Sequence, residues 1–225
     1  MPLAAELRAI VDVPVVVEND VRAAAWGEFT RGAGQGGDSL VAVFVGTGVG
    51  SGVVLDGTLW HGASNAAGEV GHTQVVVDGI PCGCGSRGCL ERYVSGSGLQ
   101  QRLRAAIAAG VATALVASTG GNADRLTAMM VYEAAQNGDE FAHGLWDDAV
   151  SYLVVALANY VTLVNPRVLL LGGGVVESVP AMFDAAAAEV PALTTRLARE
   201  VLRVERARLG GWSGVVGVAA LAARG

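Results

Sequence analysis

Apolar residues fall along this chain in two rhythms, and each change of rhythm marks an expected element. Leu3–Val11 has helical spacing that Pro14 ends, and Val15–Val17 reads as a short buried strand running into Glu18-Asn19-Asp20. Val21–Phe29 reads as a helix capped by Asn19 or Asp20, because a short polar side chain can accept the free N–H groups of a first turn. Gly32–Gly37 is a flexible break. Leu40–Val45 is a β-branched strand, Gly46–Gly52 a glycine-rich turn, and Val53–Leu55 resumes the strand before the Asp56-Gly57 turn and Thr58–Trp60. This is a meander, unlike the strand–helix order of a dinucleotide fold.

His61–Cys89 is loop-rich and holds most of the polar chemistry. Leu90–Ala109 reads as a helix interrupted near Ser95–Gly98. Thr127–Gln136 and Gly144–Val164 are also helical, the latter stopped by Asn165-Pro166. Val168–Leu171 is a buried strand, followed by Gly172-Gly173-Gly174 and a helix around Ala181–Glu189. Arg196–Arg208 holds a helix end and an edge strand, and Trp212-Ser213-Gly214 introduces a last helix, Val215–Ala223. Strands first, helices later, with one strand–glycine–helix unit, give an α/β layer fold.

Composition narrows the functional classes. Hydrophobic residues make up 52% and charged residues 16% of 225, which excludes a disordered chain. A formal charge of −6 argues against nucleic acid, whose phosphates need a basic face. Glu6, Arg8 and Asp12 interrupt the opening stretch, so it does not resemble a signal peptide. The apolar run Tyr152–Val164 is too short to span a bilayer. A cytoplasmic protein with no membrane partner is the expectation.

The three cysteines all lie within eight residues and do not form a disulfide framework. His72, Cys82, Cys84 and Cys89 have the spacing H-x9-C-x-C-x4-C, with Gly83, Gly85 and Gly88 letting the backbone bend between the sulfurs. Four N/S ligands with no spare position suit a closed, structural zinc site. The spacing lacks the C-x-x-C pair of a redox site. Glu69 and Glu91 flank this cluster, and paired carboxylates on one ordered loop suit vicinal hydroxyls. Each also has a plainer reading, as a solvated loop charge or a helix N-terminal charge. Asp20, at a strand end where a helix begins, is the best candidate for a general base, or is simply one of a capping pair. Gly46–Gly52 is a phosphate cradle or a tight hairpin. Gly172–Gly174 is a nucleotide turn or a helix entry.

Taken together, Glu18-Asn19-Asp20, Gly46-Thr47-Gly48-Val49-Gly50, Gly68-Glu69-Val70-Gly71-His72, the run from Cys82 to Glu91 and Leu171-Gly172-Gly173-Gly174 closely resemble the ROK family of repressors and sugar kinases. The resemblance implies an actin-like, ribonuclease H-type fold of two lobes. It implies Asp20 as the catalytic base, with Asn19, Glu69, His72 and Glu91 on the sugar. His72, Cys82, Cys84 and Cys89 would hold zinc. Gly46, Thr47 and Gly48 would approach the phosphates of ATP and its Mg²⁺, and Gly172, Gly173 and Gly174 the adenosine.

On this basis residues 1–37 are expected to be a remnant of a first lobe with the hinge. Residues 38–212 would form the second lobe, and residues 213–225 a helix packing back toward the first. The family's Asp-x-Gly-x-Thr phosphate loop has no counterpart in Met1–Val17, so the chain alone is expected to turn over slowly or not at all. The leading activity is ATP-dependent phosphorylation of a hexose, glucose first, by a homodimer. The alternative is the sugar-sensing domain of a ROK transcriptional repressor.

Overall fold

The computed structural model describes residues 3–223. Positions 1, 2, 224 and 225, at the tips of the first and last expected segments, lie outside the described residues. The sheet comprises β1 (Leu40–Val45), β2 (Val49–Leu55), β3 (Thr58–Leu59), β4 (Val168–Gly172) and β5 (Arg203–Arg206), in the order β3-β2-β1-β4-β5. β2 is antiparallel to β1 and β3, whereas β4 is parallel to β1 and β5. β1 starts and stops where its β-branched run does. The Asp56-Gly57 turn between β2 and β3 has positive φ at both residues, the geometry of a tight hairpin turn.

The helices are α1 (Leu3–Arg8), α2 (Asp20–Arg31), α3 (Glu91–Val94), α4 (Gly96–Ala108), α5 (Ala114–Ser118), α6 (Ala128–Gln136), α7 (Glu140–Val164), α8 (Gly174–Ser178), α9 (Pro180–Leu193), α10 (Arg196–Val201) and α11 (Ser213–Ala222). Alternation along the strands feeds two cores. Leu40, Ala42, Val54, Val168 and Leu170 meet Ala25 and Trp26 of α2. Val41, Val43, Val45, Leu169 and Leu171 join the helices from α3 to α10 on the other face. Covered on both sides, β1 and β4 must be apolar almost throughout, as they are.

Several expectations are corrected. Val15–Val17 forms no strand: no neighbour pairs with it, and Val16 and Val17 are about half exposed. The first helix ends at Arg8 rather than Val11. The Gly46–Gly52 turn is shorter than expected, since β2 already begins at Val49. Gly50 and Gly52 are strand residues whose missing side chains admit Val21 and Ala25 of α2. Gly32–Gly37 is a folded turn, in which Ala33 N–H is bonded to Glu28. α7 starts four residues before Gly144, capped by Asp139, and its 25 residues are long and apolar enough to cross a membrane. Here α7 packs against α3, α6 and α9, burying Leu145, Leu153, Leu157 and Val161.

The chain's last helix is fastened to α2. Gly217 lies so close that a Cβ would sit 1.7 Å from the Ala23 carbonyl oxygen. Beside this contact the Glu28 carboxylate is fully buried. It accepts from the N–H groups of Ala33, Arg208 and Leu209 and from the Ser213 hydroxyl. Removing it takes the acceptor from the buried Ala33 N–H and Ser213 hydroxyl, each costing about 1–3 kcal/mol when unpaired, and frees the half-buried N–H groups of Arg208 and Leu209. Glu28→Ala is therefore expected to destabilise the chain by about 3 kcal/mol or more in chemical denaturation. A loss under about 1 kcal/mol would show that the carboxylate does not hold this end.

Candidate functional site

The loop 61–89 has few ladder bonds of its own, so it is tied down residue by residue. Its regular pieces are a 3-10 turn over Val70–His72 and two isolated bridges, Gln74 with Cys89 and Pro81 with Arg87. The buried Ser51 hydroxyl of β2 donates to the Gly68 carbonyl and accepts from Val70 N–H at 3.2 Å. That brackets Glu69 and seats the turn on the sheet. Farther along, Tyr93 Oη accepts from Ile80 N–H at 2.9 Å.

The loop gathers His72, Cys82, Cys84 and Cys89, whose ligand atoms all lie within 4.8 Å of one another. Cys82 Sγ is 3.7 Å from His72 Nδ1, and Cys84 Sγ is 3.6 Å from Cys89 Sγ. Bonds of about 2.3 Å to a central tetrahedral ion give ligand separations of about 3.8 Å. The two separations above match that spacing, and the donor set suits such an ion. Burial pushes the Cys89 thiol up to about 12, with the neighbouring thiols adding to it. The Ser86 backbone N–H pulls Cys84 down. An incoming ion must therefore displace a tightly held proton from Cys89. Since His72 turns Nδ1 toward Cys82, its Nε2 is left for something else.

Beside the cluster is a cleft of about 400 Å³ lined by Val21, Phe44, Gly46, Gly48, Val49, Gly50, Glu69, His72, Glu91 and Gly173. Glu69 and His72 are exposed in it. Glu91 Oε2 accepts from Val49 N–H at 2.9 Å, holding the turn between β1 and β2. Its Oε1 has no protein partner among the described residues. A second cavity of about 480 Å³ shares Gly46 and adds Thr47, Gly96, Ser97, Thr127 and Gly174. Both open at the carboxyl ends of the parallel strands β1 and β4, where α/β sheets usually take ligands. Gly173 has φ of 90° and approaches β1 so closely that a Cβ would lie 2.5 Å from the Val45 carbonyl oxygen. Gly172, also at the end of β4, lines neither cavity.

Asn19 and Asp20 stand at the head of α2, next to Val21 in the cleft wall but not themselves in its lining. Asn19 is the cap: its Oδ1 accepts from Val21 and Arg22 N–H, both at 3.0 Å. Asp20 is exposed, and among the described residues its carboxylate accepts only from Val21 N–H. Sequence reasoning missed the anchor behind them. Glu18 binds Arg22 Nε at 2.7 Å and His61 Nε2 at 2.6 Å, while Arg22 also donates to the Asn65 carbonyl. The spacing of Glu18 and Arg22, four apart, was a usable signal; the pairing with His61, 43 residues away, was not. Burial acts to raise the Glu18 pKa, but the bonds from His61, Arg22 and Asn19 N–H outweigh it and leave the carboxyl below its ordinary 4.5.

A mixed sheet between helical layers, with a polar cleft at the carboxyl ends of its parallel strands, is the second-lobe architecture of actin-like sugar kinases. The chain belongs to the ROK family, whose family model matches residues 1–224. It is 35% identical over 224 residues to the glucokinase of Streptomyces coelicolor, covering 98% of this chain and 71% of that protein. Among solved structures it is similar to a ROK family glucokinase from Streptomyces griseus in complex with glucose and AMPPNP, at 37% identity and a TM-score of 0.79. That match covers 100% of this chain and 73% of the other. It is also similar to a ROK family transcriptional regulator, a homologue of the E. coli MLC protein, at 27% identity and a TM-score of 0.78, over 98% of this chain and 55% of the regulator.

Two outcomes follow from this geometry. Elemental analysis is expected to find about one metal ion per chain, and Cys89→Ser to lose it; a metal-free but folded chain would refute the cluster. For Glu18, a lowered folded pKa means a contribution present above the unfolded value and lost as pH falls through the folded one. Glu18→Gln should therefore be less stable than the parent at about pH 6, with the gap narrowing as pH falls through the folded value. A gap that persists unchanged in acid would contradict the role given to His61 and Arg22.

Proposed function

We propose that this chain binds a hexose, glucose foremost, in the cleft beside the metal cluster and phosphorylates it from ATP. The observation that carries the reading is the pair of adjoining cavities sharing Gly46. One is lined by two carboxylates and an imidazole, the other by the glycine turns after β1 and β4. An acceptor and a donor held this way meet at one turn, and phosphoryl transfer is mostly a matter of such positioning.

In this reading Asn19, Glu69, His72 Nε2 and Glu91 Oε1 bind sugar hydroxyls. Asp20 takes the proton from the attacking hydroxyl as charge grows on the transferred group. Gly46, Thr47 and Gly48 present N–H groups to the phosphates, whose charge Mg²⁺ neutralises. Gly172, Gly173 and Gly174 let the adenosine approach β4. The ion on His72, Cys82, Cys84 and Cys89 is a structural zinc that orders the loop and takes no part in transfer. The enzyme works in the cytoplasm as a homodimer. The glucokinase relatives support this reading over the repressor alternative, and so does the retained donor-side cavity, which a sugar sensor does not need.

In a coupled assay of transfer from ATP, with the chain joined to a first lobe that carries the Asp-x-Gly-x-Thr loop, Asp20→Asn is expected to lower turnover by about 10²–10⁴-fold, while calorimetry finds glucose affinity nearly unchanged. Undiminished turnover would remove Asp20 as the base. Failure of a fluorescent ATP analogue to bind the unaltered chain, with glucose still binding, would favour the sugar-sensing alternative.

A further inference from the structure

Away from the cleft, on the far side of α3, a smaller pocket of about 130 Å³ is lined by Ile80, Arg92, Gly98, Gln101, Arg102 and Ala105. Its walls hold two arginines whose hydrogen bonding is incomplete. Arg92 Nε and Arg102 Nη1 are both out of reach of solvent and have no hydrogen-bond partner among the described residues. Arg102 spends its Nη2 on Asp148 and lies over the Tyr93 ring at 5.6 Å. Arg92 forms no ion pair with any described residue, and its neighbour Glu91 is turned away to Val49 N–H. Two guanidinium charges thus face one carboxylate, leaving a half-buried positive charge uncompensated.

Burying such a charge without a partner is costly, as is leaving a buried N–H unbonded. Water could satisfy the two N–H groups but not the charge. An oxyanion does both, because charge-assisted bonds from guanidinium to oxygen are about twice as strong as neutral ones. The pocket has the volume of about four waters, at about 30 Å³ each, enough for a polyatomic ion. Gln101 and Ala105 are exposed, so the pocket opens to solvent. We infer that Arg92 and Arg102 form a binding site for a small oxyanion of the inorganic phosphate type, separate from the cleft. Bound there, the ion would tie α3 and α4 to the loop at Ile80.

The test is NMR of the arginine Nε–H signals, with calorimetry, during titration with sodium phosphate, sulfate, acetate and chloride at constant ionic strength. A saturable shift of the Arg92 Nε–H signal with phosphate, weaker with chloride, is expected. Arg92→Gln should weaken the calorimetric phosphate binding at least tenfold. Arg92→Lys, which keeps the charge but not the planar fork, should weaken it by less. Ala105→Met should also weaken it, by filling the pocket without touching either arginine. An Arg92 signal that does not saturate, an equal response to chloride, or phosphate affinity unchanged in Arg92→Gln would overturn the inference. The wild-type signal decides the matter even if a variant fails to fold.

Discussion

One imidazole and three sulfurs drawn within 4.8 Å of each other set the shape of everything between Glu69 and Glu91. That stretch has little regular structure of its own, and single hydrogen bonds such as Tyr93 to Ile80 N–H are worth about 1 kcal/mol each. A structural ion on four such ligands is worth about 10–16 kcal/mol in small metal-folded peptides. An ion on this cluster would therefore outweigh the individual ties. Because His72 belongs both to the cluster and to the cleft lining, order in one is carried directly to the other.

The sheet supplies the opposing wall. Ser51 brackets Glu69 from β2, and Glu91 reaches back to Val49 N–H, so the loop and the turn between β1 and β2 fix one another. From the other side, α2 carries Asn19 and Asp20 to the rim. Glu18 sets the angle of entry through Arg22 and His61, and Glu28 clamps α2 to the segment leading into α11. Segments from both ends of the chain thereby brace α2, whose Val21 forms part of the cleft wall. The two-layer covering of β1 and β4 keeps that frame stiff.

How much of this was legible depends on sequence distance. β1, the cap at Asn19, the break at Ser95 and the stop at Asn165 follow from local patterning, because their causes lie within a few residues. The convergence of His72 with the three cysteines was legible for the same reason, with all four residues inside one short loop. Local reading failed where a distant element decides. Val15–Val17 has strand composition but no partner to pair with. Gly50 and Gly52 look like turn residues and are strand residues, since α2 packs against them. The Ser51, Glu18 and Glu28 ties join residues 17, 43 and 185 apart, which no local pattern encodes. The early start of α7 was missed because Glu140, His143 and Gly144 interrupt the apolar spacing there, although Asp139 is a fair capping signal.

Whether an ion on this cluster orders the proposed sugar site is tested most directly by titrating glucose calorimetrically into the metal-loaded chain and into the same chain stripped by a chelator. Saturable binding that disappears on stripping and returns on adding zinc is the expected result. Equal affinity in the loaded and stripped forms would mean that Glu69, His72 and Glu91 do not depend on the ion for their arrangement.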